Sequence, residues 1–171
     1  MTTIRVSLVD VYVLRSGGGG LECLVLRRSV GGRCPGSWET VHGHVEHDET
    51  PGEAARRELE EETGLAPDRL YNLSRVETFY QHRLDEVALV PGFVAFVPSG
   101  AAVRLGAEHD AHEWLRPEAA GARFAWPRER RALEDAVALL GSGDAGAVED
   151  VLRVCERAGS SPASTWRGAG W

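Results

Sequence analysis

The chain has 171 residues, 43% of them hydrophobic and 26% charged, enough for one globular domain and a small remainder. Its formal net charge of −7 excludes the broad basic surface that would hold DNA, RNA or an anionic membrane nonspecifically. No apolar run approaches the roughly 18 residues of a membrane-spanning helix, and no basic segment followed by an apolar one opens the chain, so a cytoplasmic location is expected.

Residues 4–15, rich in Val and Leu, predict a buried strand. The glycines at 17–20 predict a turn and residues 22–28 a second strand, together a hairpin. Gly31, Gly32, Pro35 and Gly36 mark 29–37 as a loop, and 38–45 predicts a short strand. Thr50, Pro51 and Glu53 form a capping box with proline at the first helical position, and Gly64 supplies a left-handed stop, so a helix is expected between them. Residues 71–83 and 87–97 predict strands, 113–115 a short apolar segment, and 127–140 and 145–158 helices. The domain is therefore drawn as 1–158. The tail, 159–171, is Ser, Gly, Ala and Pro with two tryptophans, and is either disordered or docked by Trp166 and Trp171. Cys23, Cys34 and Cys155 are widely spaced with no CxxC pair, which argues against a disulfide framework or a structural zinc site and fits a reducing compartment.

Glu58, Glu61 and Glu62 stand at i, i+3 and i+4, within an arc of roughly 100° on the predicted helix. Like charges at this spacing repel by about 0.2–0.5 kcal/mol per pair. They also lie in the last turns, where the helix dipole is already negative. A divalent cation removes both penalties, and hard Mg²⁺ prefers carboxylate oxygen.

Gly43, Glu49, Arg57, Glu58, Leu59, Glu61, Glu62, Gly64 and Leu65 fit every fixed position of the pattern Gly-x5-Glu-x7-Arg-Glu-U-x-Glu-Glu-x-Gly-U, where U is aliphatic, in the segment GHVEHDETPGEAARRELEEETGL. The chain thereby resembles the Nudix hydrolases. That resemblance implies an α/β fold, a mixed β-sheet sandwiched between α-helices (α/β/α), with the motif forming a loop–helix–loop. It also implies Mg²⁺-dependent hydrolysis of a nucleoside diphosphate linked to another moiety, with Mn²⁺ able to substitute. Glu58 and Glu62 resemble the family's core metal ligands. Glu61 is either a further ligand or the holder of the nucleophilic water, and Arg57 is expected to pair with Glu49 and brace the loop against the helix. In departure from many members, His42 and His44 flank Gly43, and Asp48 stands where a glycine is common; Asp tolerates a left-handed turn better than most residues. A zinc site of His42, His44 and His47 lacks supporting Cys or an HxxEH pattern, so surface histidines around the pocket are the preferred reading. His42 is set apart, as a contact to metal through its carbonyl or to substrate through its ring.

Beyond the motif, Glu108 to Leu115 is similar to the EHxxxxWL segment of dihydroneopterin triphosphate diphosphatases and related dNTP-hydrolysing members. Trp38 to Gly43 and the segment from Trp126 to Leu133 fit the same group. This resemblance implies a small-molecule substrate, a dNTP, an oxidised dNTP or dihydroneopterin triphosphate, with dinucleoside polyphosphates and nucleotide sugars as alternatives. It implies Arg28 as a substrate-binding residue beside His42, and Glu108 as a fourth metal-binding carboxylate ahead of Glu113 and Glu86. A homodimer is compatible with it. Independently of the resemblance, Trp38, Phe79 and Tyr80 could stack on a base, although aromatics on strands are more often core. Two rivals stand against hydrolysis of small molecules: a non-catalytic nucleotide-sensing module, disfavoured by the intact carboxylates, and an RNA-decapping enzyme, disfavoured by the net charge.

Overall fold

The computed structural model describes residues 1–155. Eight strands form one mixed sheet: β1 (Thr3–Val6), β2 (Leu8–Gly17), β3 (Gly20–Arg28), β4 (Trp38–Glu39), β5 (Val41–His44), β6 (Arg69–Gln81), β7 (Glu86–Phe96) and β8 (His109–Leu115). Helix α1 (Pro51–Thr63) follows β5, and α2 (Pro117–Arg123), α3 (Pro127–Leu140) and the short α4 (Glu149–Leu152) follow β8. β2 runs parallel to β7 and antiparallel to β3 and β5, β6 is antiparallel to β7, and β8 is antiparallel to β3.

The sheet separates two cores. On one face Ala54, Ala55 and Leu59 of α1 pack on Val9, Val11 and Leu26. On the other, Ala132, Leu133, Ala136 and Leu140 of α3 pack on Tyr12, Leu14 and Val25. These helical residues recur at three- and four-residue spacing, which puts them on one stripe. Leu59 and Leu140 are fully buried, and truncating either to Ala costs about 2–5 kcal/mol. The expected mixed sheet between helices is the fold observed.

The capping box at α1 is complete. Thr50 Oγ1 accepts from the Glu53 N–H at 3.3 Å, and the Glu53 carboxylate accepts from the Thr50 N–H at 2.8 Å. Gly64 ends the helix with φ 66°. Asp48 sits at φ 67°, the left-handed turn anticipated for it.

Four expectations from the sequence need correction. The first strand is two: between the Val6–Leu89 and Asp10–Gly92 pairs, β1 and β2 advance four residues while β7 advances three, so the pairing is interrupted at Ser7. The segment 38–45 likewise divides at Thr40, where the chain leaves β3 and joins β2. The short segment at 113–115 is the end of a seven-residue strand, and the Ala- and Gly-containing α2 follows it. The final helix stops at Leu152, preceded by a 3-10 turn at Gly146–Val148, because Arg153 bridges Tyr71 and the Val154 N–H donates to the Leu70 carbonyl along β6. Residues 156–158 of that expected helix, and the tail with Trp166 and Trp171, lie outside the described residues.

Candidate active site

A cleft of about 680 Å³ opens between Glu58 of α1 and the start of α3. Several independent elements line it: Arg28 ends β3, Glu39 is in β4, His42 and Gly43 are in β5, Glu58 is in α1, and Glu108 lies before β8.

Glu58 is the best-fixed of the carboxylates. Its Oε1 accepts from the His44 backbone N–H at 3.0 Å and from Arg57 Nη1 at 2.8 Å. It occupies the space over Gly43, where an added Cβ would lie 1.9 Å from the Glu58 Cδ. Arg57 grips Glu49 with two bonds of 2.9 Å and donates to the His44 carbonyl at 2.7 Å. The Glu49 hydrogen bonds from Arg57 hold its carboxyl below the usual range, and the pair ties the loop to the helix.

Glu62, one turn on, is buried, and its Oε2 has no hydrogen-bond partner. Burial, then the negative charges of Glu58, Glu39 and Glu108, push its pKa well up. Glu61 differs from both. Its side chain is 59% exposed and contacts Arg57 Nη1 at 3.1 Å; of the three, Glu58 alone lines the cleft. The three glutamates share an arc of the helix but meet three environments.

Glu108 is brought to the same cleft by the loop after β7. That loop is pinned to the C-terminal end of α1, where the Arg104 and Gly106 N–H groups donate to the carbonyls of Thr63 and Glu62. A Cβ on Gly106 would lie 2.8 Å from the Glu61 carbonyl oxygen, so the close approach depends on glycine. Arg28 Nη1 holds Glu108 at 2.6 Å and reaches Glu39 at 3.3 Å. The two competing carboxylates are engaged elsewhere: Glu113 pairs with Arg123, and Glu86 accepts from Ser7.

The unpartnered oxygen of Glu62, in the midst of other carboxylates, is the feature that suits a cation. A buried carboxylate oxygen without a partner, beside three other carboxylates, is unfavourable unless neutralised. Oxygen donors of this kind match Mg²⁺ or Mn²⁺. Among the described residues no three such groups already converge on one point, because Arg57 and Arg28 hold Glu58 and Glu108. Cation binding would exchange part of these arginine contacts for metal contacts. The histidine cluster does not form, since His47 is 94% exposed and pairs with Asp48.

The far end of the cleft is apolar and aromatic. Phe79 and Trp126 meet edge-to-face with centroids 6.3 Å apart, and Leu8 and Val90 complete the wall. Two expected aromatics are absent from it. Trp38 packs on the α3-side core with the Arg123 guanidinium 4.8 Å from its ring centroid, so its substrate-binding role is not carried forward. Tyr80 follows Phe79 along β6, so alternation turns it to the other face, and its hydroxyl reaches Asp85. His42 does line the cleft, with Nδ1 2.6 Å from Asp10 Oδ1.

Sequence reasoning assigned no site role to Glu39, His109, Asp10, Arg128 or Trp126, although all but Asp10 fall within segments it singled out. His109 is fully buried between Glu39 (3.4 Å) and Glu62 (3.9 Å). A signal existed for Asp10, which is the sole acid in the apolar run LVDVYVL. No periodicity marks Glu39, because its burial depends on Arg28 and His109 arriving from other strands.

A second, more open groove of about 760 Å³ lies between the start of β6 and α4, away from the carboxylates. Its arginines are committed locally: Arg56 to the Val154 carbonyl, Arg69 to that of Gly143, and Arg153 to Glu149.

The family model for the NUDIX domain matches residues 5–136. A MutT-like protein of Streptomyces ambofaciens is 34% identical over 129 residues, covering 70% of this chain and 69% of its own length. A Myxococcus xanthus protein named octanoyltransferase is 38% identical over 114 residues, 63% of this chain. The chain spans only 30% of that relative's length, so the name carries no information about the chemistry here. Among solved structures, the E. coli dihydroneopterin triphosphate pyrophosphohydrolase superposes with a TM-score of 0.63 at 25% identity, covering 81% of this chain and 99% of that one. A C. elegans Ap4A hydrolase gives 0.65 at 24% identity, covering 79% and 98%, a likeness of fold.

Proposed function

This chain belongs to the NUDIX domain family, and from that premise we propose that it is a Mg²⁺-dependent hydrolase of a phosphoanhydride bond in a nucleoside or pterin triphosphate. The observation that carries the reading is the partnerless, buried Glu62 oxygen beside Glu58, Glu39 and Glu108, the last three of which line a cleft that also holds Phe79 and Trp126. Carboxylates and aromatic rings in one cleft suit the two halves of such a substrate.

Glu58, Glu62 and Glu108, with Glu61 entering from the exposed side, would hold the cation. A divalent cation there neutralises phosphate charge, orients the polyphosphate and lowers the pKa of water. The chain's own groups do the remainder. Arg57 fixes Glu58, and Glu49 fixes Arg57. Arg28, released from Glu108, offers planar donors to a phosphate, the pairing for which a guanidinium is suited. Trp126 and Phe79 give a flat apolar surface for a heterocycle. His42 faces the same substrate.

A panel of dNTPs, oxidised dNTPs, dihydroneopterin triphosphate, dinucleoside polyphosphates and nucleotide sugars with Mg²⁺ tests this reading, scoring pyrophosphate against phosphate release. Preference for a triphosphate is expected. Preference for Ap4A or a nucleotide sugar would reassign the substrate, and cleavage of none would remove the proposal.

A further inference from the structure

Asp10 is buried near the start of β2, directly opposite His42 on β5. Its Oδ1 lies 2.6 Å from His42 Nδ1, and its Oδ2 accepts from Arg128 Nη1 at the start of α3. His42 and Arg128 both line the cleft, and Trp126 of the aromatic wall precedes Arg128 by two residues. One buried carboxylate thus ties together two polar groups of the wall that come from opposite ends of the sequence.

Resting on the triphosphate reading above, we propose that Asp10 is a positioning residue: it fixes the His42 imidazole with its proton on Nδ1, leaving Nε2 as an acceptor for the N–H edge of a planar substrate heterocycle, with Arg128 as the donor beside it. The chemistry follows from the partners. An ionised carboxylate can only accept, so the nitrogen 2.6 Å away must carry the proton. Despite its burial Asp10 is held below the usual carboxylate range by His42 and Arg128. The neighbouring Glu129 is the more distant acid for Arg128. Its Oε1 lies 3.7 Å from Arg128 Nη2, and burial and the charge of Asp10 push its pKa up. An acceptor and a donor beside the Phe79–Trp126 surface match the adjacent N–H and acceptor of a lactam or amidine edge. Nucleobases and pterins have that edge, and sugars and bare polyphosphates lack it.

Two measurements test this. In the wild-type protein, nitrogen-15 chemical shifts of the His42 ring at neutral pH should report the neutral Nδ1–H form; the Nε2–H form, or a doubly protonated ring whose Nε2 can only donate, overturns the proposal without any variant. In Asp10→Asn, KM for the triphosphate that the wild type cleaves best should rise about tenfold, the loss of roughly one hydrogen bond to a charged system, with a much smaller fall in kcat. Inhibition by inorganic tripolyphosphate, which has no heterocycle, should stay within about twofold of wild type. Equal weakening of both ligands would make Asp10 a general structural residue and contradict the assignment. If Asp10→Asn does not fold, the wild-type shifts still decide. A wild type that cleaves no triphosphate instead removes the functional reading on which the substrate half rests, while the tautomer stays independently measured.

Discussion

The Glu58 carboxylate lies where a side chain on Gly43 would begin, its Cδ 1.9 Å from the position of a Cβ. The first glycine of the motif is thus a packing requirement for Glu58, fifteen positions later in sequence and held there by the next amide, His44 N–H. Gly43→Ala should therefore displace Glu58. We expect a loss of at least about 100-fold in kcat/KM from a misplaced site group, with far-ultraviolet circular dichroism unchanged. Near-native turnover in the alanine variant would show that the close approach is dispensable.

Arg57 has five hydrogen bonds, to Glu49, Glu58, Glu61 and the His44 carbonyl. Arg57→Ala leaves a partly buried Glu49 without its arginine, and urea unfolding should show a loss of about 1–2 kcal/mol. Arg57→Lys should recover little, because an ammonium cannot reproduce the two parallel bonds to Glu49. A lysine variant as stable as wild type would contradict this role.

The same pair predicts a pH dependence. The Glu49 carboxyl is held low in the folded protein by Arg57, so the folded state binds fewer protons than the unfolded one across the interval between the two pKa values. Its contribution is fully present above the ordinary carboxylate pKa and is lost as pH falls through the depressed folded value. Wild type and Glu49→Gln should therefore differ in stability at neutral pH and converge in acid. A difference that persists unchanged at low pH rules out the ion pair as its source.

Metal addition should raise stability in a carboxylate-dependent way. Glu62 is buried among Glu58, Glu39 and Glu108, and a bound cation offsets that repulsion. The Tm of the wild type should climb with Mg²⁺ by mass action, whereas Glu62→Gln should show little response. Equal Tm increases in both proteins would place the cation elsewhere.

The two tryptophans near the cleft separate by location. Trp126→Ala should raise KM with little change in folding stability, since Trp126 lines the cleft. Trp38→Ala should lower stability, by about 3 kcal/mol or less for a partly buried ring, and leave KM nearly unchanged. The reverse pattern would restore Trp38 as a substrate contact.

The contrast between these tryptophans shows where the sequence was legible. The helix and its caps were readable because their determinants are local: Thr50, Pro51, Glu53 and Gly64 act within one turn of the ends they define. Glu58, Glu62 and the Arg57–Glu49 pair were readable because a single loop–helix–loop carries them. The aromatic wall was not, since Phe79 and Trp126 meet only when β6 and the start of α3 are brought together. Alternation along β6 separates Phe79 from Tyr80, but the side on which the cleft lies is a tertiary property. Glu39 was hidden in the same way, being paired with residues from other strands, and Asp10 has its partners, His42 and Arg128, on a strand and a helix far along the chain. The last helix was overextended because its pattern gives no sign that Arg153 pairs with β6.

The central claim is that clustered carboxylates at this cleft support metal-dependent cleavage of a triphosphate. Its most direct test is turnover of the substrate panel by wild type, Glu58→Gln and Glu62→Gln, each with Mg²⁺ and with excess EDTA. The account predicts phosphoanhydride cleavage by wild type with Mg²⁺, its abolition by EDTA, and a fall of about 10²–10⁴-fold in either variant that still folds. Equal turnover in EDTA, or variants as active as wild type, would contradict it.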